Sequence, residues 1–561
     1  MKKKYLIFSI LMTIGVIGAM AQTRYVDAIY TDADIETTLD VTYGTNIDFL
    51  TSKLHSSNGA QIQQDMQEIG GALQGGMSIP VKFYDYTDTF TTKVKVTDVK
   101  MDIYKPKTSV DATTDRPVII FLHTGNFLPP PVNGSPNGYK GDSSAIVLCT
   151  EWAKRGYVAV AVNYRLGWNP LALNVETRKG QLLNAVYRAI HDVKVAVRTL
   201  KDGASTYGID PAKVTLYGEG TGAYVALAYE TLDKNEEMEL PKFRVGGVGD
   251  SYINRAVVGD IDGSGGAFNL YAPSATSTEV ASIVTAGGAL ADTSWLEAGD
   301  APMIAFHCVR DAFAPFTEGT VIVPTTNQPV VDVQGANLYI QKANALGNND
   351  AIKDIKANDP YTMAAEANYG ATVAYIYDSP ADEITINTEV KGLFPVLLPI
   401  AEEVLYNQSS PWQWWDPMSP LATADVSGGA GFTAHMNSIR SNPDMSPAKG
   451  RTYLDTILGY MCPRVALING DITMESLSVN QTLPTSAAAV YPNPATSEVT
   501  IRVDAKYTVT SISITDITGR EVLVANAKNT VSLNLETIQA GYYIVNVQTN
   551  AGTISTKLIK E

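Results

Sequence analysis

Cysteine and histidine are scarce in this chain, three and five among 561 residues. Three cysteines form at most one bridge and leave a thiol over, which excludes a disulfide-stapled scaffold. No CxxC pair marks a structural zinc site either. Positive charge is short as well: 42 Lys and Arg stand against 58 Asp and Glu, a net charge of −16 at pH 7. A surface of that sign repels phosphate backbones and anionic lipid, so the balance argues against nucleic-acid binding. Beyond the first twenty residues no run is long and apolar enough to cross a bilayer. What is present, 45% hydrophobic and 18% charged residues, is an ordinary globular balance and excludes a disordered or fibrous chain. The length exceeds what one hydrophobic core organises, so two or three domains are expected.

The first residues read as an address. Lys2, Lys3 and Lys4 precede an apolar run from Tyr5 to Ile17, and Ala19-Met20-Ala21 supplies a small-residue cleavage pattern. This is the pattern of a secretory signal peptide over residues 1–21. Its removal before Gln22 would take away three lysines, giving −19 and a mature chain without a transmembrane segment.

Residues 22 to about 100 show short alternating runs such as Thr92–Val96, read as strands with one wet face. From about residue 115 the texture becomes strand–helix–strand. Val118–Leu122 and Val158–Val162 are continuous apolar runs, as in strands covered on both faces. Helical spacing over Ser144–Arg155 ends at Gly156, and Leu182, Val186, Ile190, Val193, Val197 and Leu200 line one face of a long helix. Strands at Val214–Tyr217, Met303–Phe306 and Thr372–Tyr377, with a helix near 335–346, complete the alternation. The pattern predicts a mostly parallel sheet with helices on both faces. Residues 378–450, rich in Pro, Trp and Asn, read as a long cap, and Thr452–Met461 as a closing helix. After a Ser/Thr/Ala/Pro linker over 477–486, period-two runs separated by turns predict a small β-sandwich of about seven strands.

Ligands of open parallel sheets bind beyond the carboxyl ends of the strands. There the chain reads His123-Thr124-Gly125-Asn126-Phe127, Gly218-Glu219-Gly220-Thr221-Gly222, and His307-Cys308-Val309-Arg310-Asp311. With Asp102–Pro106, Trp152–Tyr157, Asn163-Tyr164-Arg165-Leu166 and Tyr207–Pro211 in order, the stretch 92–346 resembles the α/β-hydrolase superfamily. The likeness is to its secreted carboxylesterase and feruloyl-esterase-like branch. It implies an α/β fold over residues 22–476, with a core at about 92–377 and a cap at about 378–450.

The resemblance also implies a catalytic site that this sequence does not complete. The nucleophile position of Gly-x-Ser-x-Gly holds Gly220, which has no side chain to attack with. Thr221 is the nearest hydroxyl, expected to point away from the strand ends. Asp311 stands at the acid position. The loop after the expected last strand, Asp378–Glu383, has no histidine; the next one is His435, inside the expected cap, and it reads as a surface or lid residue. In the oxyanion-like loop His123-Thr124-Gly125, Thr124 replaces a glycine of the family's His-Gly-Gly pattern. Loss of triad members costs several powers of ten in rate, so the site reads as catalytically retired.

Other residues invite a ligand role. Glu219 flanks the missing nucleophile, and Trp412, Trp414 and Trp415 could stack on sugar rings, though such clusters more often anchor a loop by burial. Asp260–Ser264 resembles half a calcium loop but lacks the downstream Glu and reads as an acidic turn. Cys149 and Cys462 read as small buried hydrophobes. No metal and no cofactor is expected.

The C-terminal motifs are Tyr491-Pro492-Asn493-Pro494-Ala495, Thr515–Arg520, Gly541–Val545 and Lys557-Leu558-Ile559-Lys560. They resemble the type A C-terminal sorting domain of the type IX secretion system over residues 487–561. This implies the secretion machinery as partner and a secreted or cell-surface protein. The expected function is therefore an exported esterase-like protein that binds a polysaccharide, ester or protein ligand without hydrolysing it. The alternatives are an active carboxylic-ester hydrolase with a rearranged site and a structural adhesin.

Overall fold

The computed structural model describes residues 23–561 apart from 89, 312, 323–327, 356–358, 377–378, 399–407, 475–482, 517–520, 526–527 and 550–551. The expected signal peptide and most of the expected linker lie outside the described residues.

Eight strands form one sheet: β1 (Ile35–Ile47), β2 (Val96–Pro106), β3 (Arg116–Leu122), β4 (Val158–Val162), β5 (Ile209–Glu219), β6 (Ser282–Ala286), β7 (Met303–Cys308) and β8 (Leu393–Val396). Their spatial order is β1-β2-β4-β3-β5-β6-β7-β8. β1 and β2 are antiparallel to each other, β2 is antiparallel to β4, and from β4 to β8 every pairing is parallel.

The apolar runs of β3 and β4 are buried at every position, because helices cover both faces of the sheet. Alternate residues feed two cores. Ile120 and Val160 pack with Ile190, Val225 and Ile340, from helices α3 (Val175–Asp202), α4 (Thr221–Thr231) and α5 (Ala336–Leu346). Ile119 and Phe121 pack on the other face with Trp152 and Ile457, from α2 (Ser143–Lys154) and α6 (Pro447–Ile468). A buried ion pair ties the loop after β4 to α3: Arg165 Nε lies 2.8 Å from Asp192 Oδ1, and the same carboxylate accepts the Tyr271 hydroxyl at 2.7 Å.

Three readings of the sequence change. Of the expected strand Thr372–Tyr377, the described part does not enter the main sheet: Thr372–Ile376 pairs with Ser379–Thr385 as a separate hairpin. The strand beside β7 is β8, inside the stretch expected to be cap. Its Pro395 disguises it, yet β8 lies at the sheet edge, where a missing N–H is tolerated. The region before residue 100, expected to be strands alone, contains a sixteen-residue helix, Gly59–Gln74, which buries Ile62 and Ile69 against Phe83 and Val94. The sheet therefore starts at Ile35, ahead of the expected core.

The C-terminal residues build two sheets, of three and four strands, around a common core that includes Val499, Ile512, Val545 and Leu558. This is the seven-stranded architecture that the periodicity predicts. Asn493 clamps the final strand, its amide donating to Lys557 O at 2.6 Å and its carbonyl accepting Ile559 N at 2.9 Å.

Candidate functional site at the carboxyl ends of the strands

β5 ends at Glu219 and α4 begins at Thr221, so a single residue, Gly220, turns the chain. Its backbone sits at φ 55°, ψ −116°, a conformation that strains any residue with a β-carbon. The flanking glycine Gly222 lets α4 lie on β3: a β-carbon there would strike the Leu122 carbonyl. The elbow is thus fully formed although its apex carries no side chain. A β-carbon built on Gly220 would fall on the Thr124 hydroxyl and come within 3.0 Å of Thr124 Cβ. The residue that replaces an oxyanion-loop glycine therefore fills the space that a nucleophile's stem would occupy.

The loop carrying Thr124 is braced on all sides. His123 is buried, stacked on Tyr164 at 4.3 Å, and its Nδ1–H donates to Thr124 O at 2.5 Å. Burial holds its pKa down at about 4, so the ring is neutral at pH 7. The Tyr164 hydroxyl donates to His123 O at 2.6 Å, and the Trp168 indole donates to Asn126 O at 2.7 Å. Gly125, Asn126 and Phe127 all have positive φ, at 120°, 54° and 55°.

The structure does not bring the remaining expected residues together into a triad. Asp311 is buried after β7, its Oδ1 accepting Phe313 N at 2.7 Å and Ala314 N at 3.0 Å. Burial raises its pKa and His307 opposes the rise. His307, four residues earlier on β7, is the imidazole that faces this carboxylate, and sequence reasoning gave it no role. Its Nε2–H donates to Ala314 O at 3.1 Å, while its buried Nδ1 has no hydrogen-bond partner. The Nδ1 of His435 accepts the Trp415 indole N–H at 3.1 Å. The ring nitrogen that a triad would turn toward a carboxylate is therefore engaged as an acceptor. The Thr221 hydroxyl is buried beside Tyr164, without a hydrogen bond of standard geometry.

Glu219 lies beneath the elbow, fully buried. It accepts from Gln413 and from Ser144 Oγ at 3.1 Å, and burial raises its pKa to about 7. Asp142, also buried, is pushed well above the usual carboxylate range by desolvation and by Glu219. Asp142 is the N-cap of α2, Ser144 lies in its first turn and Gln413 on the segment after β8, a convergence with no signal in the sequence. Trp412, Trp414 and Trp415 are buried, and Trp414 lies against Gly450 of α6. Cys308 is buried, its thiol pushed well up by desolvation. Asp262 in the acidic turn is engaged by Ser264, and no cluster of His, Cys, Asp and Glu suited to a metal ion occurs among the described residues.

Residues 101–322 match the family described as BD-FAE, and residues 489–561 match the secretion system C-terminal sorting domain. The chain joins an esterase-like α/β-hydrolase domain to a type IX sorting domain.

The chain is similar to curated proteins with two kinds of name. Neuroligin-like protein glit-1 of Caenorhabditis elegans is 32% identical over 123 residues, 22% of this chain and 14% of that protein. Secreted lipase 5 of Gibberella zeae is 30% identical over 141 residues, 23% of this chain and 24% of the lipase. Neuroligin-2 of Mus musculus is 28% identical over 118 residues, 21% and 12% of the two chains. The chain thus spans about a quarter or less of the length of these relatives. Among solved structures, the apo form of Thermogutta terrifontis esterase 2 is 22% identical, covering 39% of this chain and 70% of that one at a TM-score of 0.26. The sorting domain directs the chain to secretion or the cell surface. No helix among the described residues is long and apolar enough to cross a membrane.

Proposed function

We propose that this protein is an exported binding protein on an esterase scaffold, without ester-hydrolysing activity. The observation that carries the reading is the reciprocal pair at the elbow: Gly220 offers no nucleophile, and the Thr124 side chain stands in the volume that a serine there would need. The loss is built into two separate loops, so a single Gly-to-Ser change does not reverse it. The engaged Nδ1 of His435 and the loop-bound carboxylate of Asp311 support the same reading. Type IX export through residues 487–561, after passage of the inner membrane on the signal peptide of residues 1–21, completes it.

The test is turnover of p-nitrophenyl acetate and methyl ferulate by the purified full chain. The expected rate equals that of buffer alone. Turnover abolished by Asp311→Asn would overturn the proposal.

One observation favours a second reading, an active hydrolase with a rearranged site: a hydroxyl, that of Thr124, does stand at the elbow. In that case Thr124→Val removes turnover while Thr221→Val leaves it unchanged.

A further inference from the structure

Asp311 makes only half of the hydrogen bonds that its carboxylate can accept. Oδ1 accepts Phe313 N and Ala314 N, while Oδ2 accepts nothing from the described residues. No Lys or Arg among them pairs with the carboxylate, and the neighbouring Arg310 turns away, its Nε donating to Ala374 O at 2.6 Å. The chain after β8 holds no histidine before His435, whose Nδ1 is engaged by Trp415. Nor is the free oxygen sealed off. Asp311 keeps 6% of its surface exposed, and a β-carbon built on Gly287, just after β6, would come within 4 Å of one atom only, Oδ2, at 3.7 Å.

Two more polar groups near this carboxylate lack a partner. His307 is buried, and its Nε2 carries the ring proton, since it lies 3.1 Å from Ala314 O, which can only accept. Burial lowers the pKa of the ring, so it is neutral at pH 7 and its unpartnered Nδ1 is a bare lone pair. The hydroxyl of Tyr224, on α4, is buried and unpartnered as well; burial and then the charge of Asp311 raise its pKa. A carboxylate oxygen, an imidazole nitrogen and a phenol oxygen thus stand around Asp311 with no protein group donating to them. Buried acceptors in this state cost free energy that a donor recovers. Water brings two donors and no charge, whereas a primary ammonium brings three donors and the missing counter-charge. An anion would be repelled here, and a sugar would leave the charge uncompensated.

We propose that the site at Asp311 binds the primary ammonium group of a small amine, in the place where an imidazole N–H would serve a hydrolase. The charge-assisted bond goes to Asp311 Oδ2, and the Tyr224 oxygen and His307 Nδ1 accept the remaining N–H groups. Tyr224, with Thr221 and Ala289, also walls a cavity beside the elbow, through which a small solute reaches the carboxylate. The net charge of −16 draws cations toward the protein. The proposal rests on reading this chain as a binding protein and names its ligand class.

Saturation-transfer NMR of methylammonium with the full chain tests it, with tetramethylammonium, equally charged but without an N–H, as the control. The expected result is binding of methylammonium and none of tetramethylammonium. Affinity for methylammonium is expected to fall about tenfold in Asp311→Asn and about threefold in Tyr224→Phe. Tyr224→Phe removes a hydroxyl that bonds nothing in the protein, so this variant folds even if Asp311→Asn does not. No binding of methylammonium, or unchanged affinity in either variant, would overturn the proposal. Equal binding of tetramethylammonium would overturn it too, by showing attraction to the acidic surface alone. Ester turnover would overturn the non-hydrolytic reading and leave the methylammonium result to stand by itself.

Discussion

Gly220 and Thr124 form a coupled pair, and the coupling makes a sharp prediction. Gly220→Ser places a β-carbon in a left-handed backbone and on the Thr124 hydroxyl. Strain of this kind costs about 1–3 kcal/mol, so urea denaturation of the single variant is expected to shift to lower midpoint. Thr124→Gly removes the obstruction, and the double variant recovers part of the loss. The two changes are therefore non-additive, and strict additivity would contradict the packing described. Glu219 supplies a second test at this scale. Its folded pKa of about 7 lies above the ordinary 4.5, so the native state binds a proton more tightly than the unfolded chain. Its contribution is fully present below pH 4.5 and is lost as pH rises toward 7, by about 3 kcal/mol. Stability measured at pH 5 and pH 8 should fall less in Glu219→Gln than in the wild type. An equal fall would place the titration elsewhere.

At the scale of elements, Arg165 and Asp192, both buried, join the loop after β4 to α3. Removing one partner leaves the other charge buried, so Asp192→Leu is expected to cost about 3–5 kcal/mol in chemical denaturation. The elements themselves were legible to different degrees, for physical reasons. β3, β4 and α3 announce themselves because both faces of a parallel sheet are covered, and the apolar spacing has nothing to interrupt it. β8 does not, since Leu393-Phe394-Pro395-Val396 is short, contains proline and gains its strand character only by pairing with β7. Thr372–Ile376 shows the reverse: its alternation is real, but pairing partner and not pattern decides which sheet a strand joins. The elbow could be read residue by residue because Gly220 is local in the chain. The occupation of its space by Thr124, the acid cluster of Asp142 and Glu219, and the facing of His307 with Asp311 depend on loops from separate strands. They became visible only in three dimensions.

For the whole molecule, export depends on the C-terminal region that matches the sorting domain. Deleting residues 489–561 is expected to remove the protein from the cell surface and medium, measured by fractionation, because the sorting domain lies there. Asn493→Ala, which releases two hydrogen bonds to the final strand, is expected to lower the amount exported while the hydrolase domain keeps its fold. The central claim, that this esterase scaffold has no working nucleophile, is a statement about the intact chain and is tested most directly by its mass. Incubation of the full-length protein with a fluorophosphonate, followed by intact-protein mass spectrometry, is predicted to give the unmodified mass alone. A stoichiometric adduct that maps to Thr124 or Thr221 would contradict it.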